Sequence, residues 1–557
     1  MILSRLFHSL AAACCIFGSA ATLARAEDAP PALVLKPDSF QHYVEQFNKN
    51  DEELYVNYVP NEKAWDFLKA NIPLLECPNK DIEEIYYFRW WTFRKHLKET
   101  PDGFVVTEFL PKVSWSGKHN TISCPAGHHL YEGRWLRDQK FLNDYSLFWF
   151  RKGGEPRRYS FWAADAIWAR YLTNHDANLP KELLPDLIRN YEAWEKSRLD
   201  PTTGLFWQID DRDGMEVSIG GSGLRATINS YMYGDAIAIA NIADLTAQKD
   251  AAQKDAAQKD AAQKDIAKTY RDKATAIKKL VQEKLWDPDA KFFKVLGRSA
   301  DKQGKVTIAE KLADVREEHG YTPWYFNLPD RDKGYEEAWK QLMDPQGFFA
   351  EYGPTSAEQR HPGFKISYKG HGCQWNGPSW PYATSVTLTA LANVLNNYKQ
   401  TAISKADYLK TLEIYTKSHH LKRDDGKVLP WIDENIDPLT GVWIDRLRSQ
   451  EWNKDPNLQQ HGKDYNHSSY TDLIITGLVG LRPAADNKVT VNPLLPENTW
   501  DYFCLDNVPY HGHDLTILWD KSGEKYGKGK GLKLFIDGKE AAHAETLTKI
   551  TGTLPAP

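Results

Sequence analysis

After residue 130, apolar residues recur at helical spacing in one stretch after another, and this repetition constrains the fold more than any other feature of the chain. Leu184, Leu187, Ile188, Tyr191 and Trp194 fall on one stripe, as do Ile266, Tyr270, Ala274, Ile277, Val281 and Leu285. Leu388, Leu391, Ala392, Leu395 and Tyr398 form another, followed by Tyr408, Leu409, Leu412 and Tyr415, then Leu473, Gly477, Leu478 and Leu481. Small residues such as those of Ala236 to Ala243 let helices approach closely. Loops at 201–228, 350–380 and 430–469, dense in Gly, Pro, Trp and charge, separate the stripes. Loops this long inside a compact body carry function. The pattern predicts a mainly α chain, a helical toroid with its working face at one end.

Two flanking regions read differently. Past residue 484 the period changes to two, in Val489 and Val491, Leu515, Ile517 and Trp519, and Leu532, Leu534 and Ile536, with a turn at Asp537-Gly538. This predicts a small sandwich-like β domain over 484–557. At the other end, Arg5, an apolar run from Leu6 to Leu23 and Ala24-Arg25-Ala26 read as an export signal over 1–26, which places the chain in the periplasm or outside the cell. Residues 27–80, with helical stretches at 40–47 and 64–70, are expected to pack on a barrel spanning 81–483. Residues 247–265 repeat Ala-Ala-Gln-Lys-Asp. At 3.6 residues per turn a five-residue repeat keeps no face apolar, so this is a solvated extension of helix ends.

Composition narrows the function. A net charge of −5 argues against a general binder of nucleic acid or anionic membrane, and outside the leader no apolar run is long enough to span a bilayer. Twenty Trp and 27 Tyr suit stacking on sugar rings. Export leaves Cys77, Cys124, Cys373 and Cys504, which allow three pairings or four buried thiols. His128, His129 and Glu132 lack a third aligned ligand for zinc, and Asp210–Asp213 lacks the alternation of a calcium loop. No metal or cofactor is expected, and oligomeric state is not legible.

Three loops concentrate carboxylates, aromatics and glycines. The first runs from Gln208 to Ser218 and leads into Arg225–Tyr233. The second contains Tyr352-Gly-Pro354 and His371–Pro381. The third runs from Trp431 to Gly441, with Tyr465–Ser469 beyond it. Glycoside hydrolysis needs one carboxylic acid to protonate the leaving oxygen and a second carboxylate on the opposite face. The first and third loops can supply one each, and the Trp-rich second can floor a sugar site through Trp375 and Trp380. In the first loop Glu216 competes with Asp213. In the third Glu434 competes with Asp433 and Asp437, and Asp437-Pro438 with Gly441 is expected to form the turn that presents it. Arg89, Trp90, Trp162 and Asp165 could line the same mouth.

These segments resemble family 63 glycoside hydrolases and the mannosylglycerate hydrolases, and more distantly trehalases. "GMEVS" stands where those enzymes hold a general acid, and "RATINSYMY" resembles the run opening their next helix. "LMDPQGFFAEYG" with "CQWNGPSWPYAT" is similar to their Trp-Arg-Gly-Pro segment, and "ENIDPLTG" to the stretch carrying their base. The resemblance implies an (α/α)6 barrel and inverting hydrolysis, with Glu216 as acid and Glu434 as base. Their carboxyls would lie about 6.5–9.5 Å apart. It implies Asn376, Asn229 and Tyr231 as further sugar contacts, although Asn376 replaces the motif's Arg. The expected activity is exo-acting release of a terminal sugar, an α-glucoside or α-mannoside first, a plant side-chain sugar such as arabinofuranose second. A polysaccharide lyase using Tyr231, His128 and Arg225 is the rival from another class, and a non-catalytic sugar-binding protein the third reading.

Overall fold

The computed structural model describes residues 33–247 and 256–555. The expected export signal lies outside the described residues, as does 248–255 of the repeat. From Ala256 the repeat runs into a helix that ends at Lys284, so its described part does lengthen a helix end. Its Lys264–Asp260 pair is a surface i,i+4 contact.

The helices form two concentric layers. Inner segments Ala126–Gly133, Ala163–Asn174, Ala226–Ala247, Thr322–Tyr325, Pro381–Asn397 and Thr471–Leu473, the last running on through Leu478, pack in turn against one another. Around them lie Lys80–Lys95, Lys140–Arg151, Asn178–Arg198, Ala256–Lys284, the 3-10 turn Tyr335–Gln341 and Lys405–Ser418. This is the (α/α)6 toroid. Inner helices are buried on all sides, which requires small residues where neighbours cross. A Cβ on Gly234 would sit 2.3 Å from Phe326, and one on Gly127 the same distance from Trp162. Helix Lys80–Lys95 is an outer helix buried almost throughout, because Gln41–Asn50 covers it.

Local signals set the helix starts that matter to the site. Trp380 ends an extended segment and Pro381 opens the next helix at its first turn, where its missing N–H costs nothing. Ser404 and Asp407 close a capping box on Lys405–Ser418.

The C-terminal region is β, as its alternation predicts. Tyr502–Tyr510, His513–Asp520, Gly531–Ile536 and Lys539–Ala544 form an antiparallel sheet, and Leu481–Arg482, Lys488–Val491 and Ile550–Thr553 a second. Asp537 and Gly538 both have positive φ, +49° and +75°, as a tight hairpin turn requires. The larger sheet takes its first strand, Leu74–Glu76, from the N-terminal segment, which ties the start of the chain to its end. The four cysteines among the described residues, Cys77, Cys124, Cys373 and Cys504, are free thiols. No helix among the described residues is long and apolar enough to cross a membrane.

Candidate active site

The long loops meet at the ends where the inner helices begin, around a cavity of about 620 Å³. Glu216 from the first loop and Glu434 from the third both line it, with Trp375, Trp380 and Cys373 from the second. The backbone explains the convergence. Ile436 exchanges two hydrogen bonds with Ser379, at 2.9 and 3.0 Å, stitching the third loop to the second. The Trp375 N–H donates to the Glu216 carbonyl at 3.0 Å, stitching the second to the first. The Cys373 thiol donates to Glu434 Oε1 at 3.3 Å. Two residues of chain, at most about 7 Å, therefore separate the anchor of one carboxylate from that of the other.

Each carboxylate is presented by a fixed turn. Asp437 Oδ1 accepts from the N–H groups of Leu439 and Thr440, and Gly441 takes φ +76°, so the Asp-Pro-Leu-Thr-Gly turn holds the Glu434 loop as expected. Glu216 precedes Val217, whose φ of +63° a β-branched residue rarely adopts. Two downstream amides, Ile219 and Gly220, donate to the buried Glu317 carboxylate at 2.8 and 3.2 Å and hold that backbone in place.

The electrostatics are those of acid groups in an apolar space. Among the residues lining the cavity there are Glu108, Asp211, Glu216, Glu434 and Asp445, and no Lys or Arg. Burial pushes the Glu216 carboxyl up to about 8, and Asp211, Asp210 and Glu108 add to it. Glu108 is likewise raised to about 8 by burial, although it accepts a short hydrogen bond from the Tyr465 hydroxyl. Glu434 is raised too, by burial first and then by Asp445, while the Cys373 thiol hydrogen bond pulls it down. Not every carboxyl in such a cluster can ionise together. Burial raises both carboxyls; Glu434 accepts from the Cys373 thiol, and no side-chain donor to Glu216 occurs among the described residues.

Glu434, Asp445 and His461 bring their ligating atoms within 4.8 Å of one another. His461 Nδ1 faces the Leu458 carbonyl at 2.8 Å, leaving Nε2 turned toward Asp445 Oδ2 at 3.6 Å. One nitrogen and two carboxylates are a donor set for a divalent ion. A proton on His461 satisfies the same spacing as an ion pair with Asp445.

Other sequence candidates take structural places. Asp213 is fully buried on Arg225 at 2.8 Å and Thr227, away from the cavity, which removes the local rival to Glu216 and ties up the arginine a lyase would need. His128 packs edge-on against Trp162 and Tyr382, Tyr231 lies tilted against Trp162 with its hydroxyl 3.4 Å from that of Tyr382, and none of the lyase trio lines the cavity. Asn229 clamps Phe206 through its N–H and carbonyl, at 2.8 Å each. The Asn376 carbonyl accepts from Lys365, and its side chain is not among the lining groups. Arg89 donates to Ser468 and faces His419, anchoring the segment before the last inner helix. Trp90 and Trp162 are core. Asp165 lies in a separate cavity of about 260 Å³. Of the nine expected sugar contacts, only Trp375 and Trp380 line the site; the others pack beneath or beside it.

Sequence reasoning missed Glu108, Asp445 and His461. Glu108 follows a short hairpin with no motif around it. Its only signature is spatial, the buried Tyr465 hydroxyl 357 positions away.

An (α/α)6 toroid with two carboxylates and two stacked tryptophans in one cavity at its end is an arrangement suited to glycoside hydrolysis. Residues 118–468 match the mannosylglycerate hydrolase MGH1-like glycoside hydrolase domain, and the chain belongs to that family. Residues 481–543 match the C-terminal domain of glycosyl hydrolase family 65. A solved structure named as a sialidase is 43% identical over 93% of this chain, with a TM-score of 0.82; this chain covers 45% of that one, less than half its length. A GH78 family rhamnosidase of Bacillus sp. GL1 shares the fold, at 10% identity and a TM-score of 0.51, over 83% of this chain and 41% of that one.

Proposed function

We propose that the protein is an exported, exo-acting, inverting glycosidase that removes a terminal neutral sugar, with Glu216 as general acid and Glu434 as general base. The observation that carries this reading is the meeting of the two carboxylates and two stacked indoles in a cavity lined by no Lys or Arg among the described residues. A carboxyl raised to about 8 keeps its proton at neutral pH and can protonate a leaving oxygen. Glu434 then orients and deprotonates the attacking water on the opposite face. Trp375 and Trp380, stacked at 4.5 Å with 11° between their planes, give the ring an apolar wall.

That no Lys or Arg lines the cavity among the described residues supports a neutral substrate over two neighbouring chemistries. A sialic acid carboxylate would enter a field of like charge with no guanidinium to meet it, and phosphate as attacking group would face the same repulsion. Water and a neutral sugar fit. A terminal α-glucoside or α-mannoside is the first substrate class. Terminal arabinofuranose is the second, favoured by Asn376 standing outside the lining where the motif's Arg would bind a hydroxyl: a pentofuranoside offers one hydroxyl fewer.

A screen of aryl glycosides and plant oligosaccharides, read as released monosaccharide, tests the reading. Release from a neutral α-glycoside or arabinofuranoside is expected. Activity confined to sialosides or uronates, or an unsaturated product absorbing in the ultraviolet, contradicts it.

A further inference from the structure

The rim of the cavity carries two indoles that the acid–base chemistry does not use. Trp115 is 43% exposed and Trp452 is 53% exposed, yet both line the same cavity as Glu216 and Glu434. Large exposed aromatics at the mouth of a functional cavity mark a contact surface. Both are also pre-set. Trp115 stands edge-to-face with Phe109 at 5.6 Å and with His461 at 6.0 Å. Trp452 carries the Arg448 guanidinium 4.4 Å over its ring, and Arg448 is itself hydrogen-bonded to the His371 carbonyl. A ring already held in place loses little entropy on binding.

The aromatic surface thus occurs at two depths. Buried Trp375 and Trp380 wall the inner end, and exposed Trp115 and Trp452 flank the outlet. In an exo-acting enzyme the terminal sugar fills the inner end, so the leaving group emerges past the outer pair. Indole faces pack against the C–H faces of sugar rings, and Ser449, Asn453 and His371, which also line the cavity, can meet hydroxyls at its edge.

We propose that Trp115 and Trp452 form a leaving-group subsite that grips the following sugars of a neutral glycan chain, so that the enzyme trims chain-borne sugars. This deepens the glycosidase reading and rests on it.

The test compares wild type with Trp115→Ala, Trp452→Ala and the double variant. Native gels containing arabinogalactan, arabinan, xyloglucan or yeast mannan read chain binding without turnover. The wild type is expected to be retarded by at least one, and the double variant to lose that retardation with its circular dichroism unchanged. On a chain substrate from the functional screen, kcat/KM should fall at least about tenfold more than on the glycosyl fluoride of the same terminal sugar, with the loss in KM. No retardation of the wild type, or equal losses on fluoride and chain, overturns the proposal. Failure of the wild type to hydrolyse any glycoside, with retardation intact and indole-dependent, would instead overturn the glycosidase reading and leave the chain-binding rim standing.

Discussion

Two cavities of the toroid bury acidic groups, and they treat them in opposite ways. In the smaller, Asp472 receives Arg134 at 2.8 Å and the Trp135 indole N–H at 2.7 Å, and Arg482 lines the same space. Nearby Glu132 accepts the backbone N–H groups of Tyr470, Thr471 and Asp472, capping the start of the last inner helix. Asp165, raised to about 6 by burial, still holds the Tyr131 hydroxyl at 2.6 Å. These acids are matched to partners and hold helices together. In the larger cavity Glu108, Glu216 and Glu434 have no cationic partner, and their carboxyls are raised. Unmatched buried acids cost stability and are retained where chemistry needs a group that keeps or takes a proton. The same contrast separates Asp213 from Glu216, three positions apart, one locked on Arg225 and the other facing the cavity.

The sharpest way to break this comparison is Glu434→Gln. Shape is kept and the base is lost, so turnover should fall by about 10²–10⁴ while oligosaccharide binding persists. Retention of more than half the activity would remove Glu434 from the role. Its counterpart in the matched cavity is Arg134→Met, which leaves Asp472 buried without its cation. Denaturant unfolding should show a loss of about 3–5 kcal/mol. A stability close to wild type would mean that backbone and indole donors already satisfy Asp472.

A smaller effect separates the cavities by pH. Glu108 has a folded-state pKa of about 8 against an ordinary value near 4.5, so the native state holds a proton that the unfolded chain has released between those values. Stability contributed by this group is full below about pH 4.5 and declines as pH rises toward 8. Glu108→Gln removes that decline. Compared with wild type, the variant should gain about 1–3 kcal/mol at pH 9 and change little at pH 4.5. An equal change at both values would show that Glu108 acts through packing alone.

The toroid was legible because its helices carry a 3.6-residue stripe, and the β region because Leu515, Ile517 and Trp519 alternate. The two loops bearing Glu216 and Glu434 were legible because turn residues, Gly214 and the Asp437–Gly441 run, flank each acid. Most of the expected sugar contacts were not, for a physical reason. Trp162 caps the start of one inner helix and Asn229 and Tyr231 sit on another, all three fully buried, so an aromatic or amide there looks the same in sequence whether it faces a sugar or a neighbouring helix. Glu108 and His461 were invisible because what makes them notable is convergence across hundreds of residues, with no local spacing to mark it.

The central claim, that Glu216 and Glu434 act as an acid–base pair in a single displacement, is tested most directly by the anomer first formed. Proton NMR during the opening minutes of hydrolysis, before mutarotation, should show a sugar of configuration opposite to that of the substrate. A first product that retains the substrate's configuration would contradict the account and make a cavity carboxylate the nucleophile.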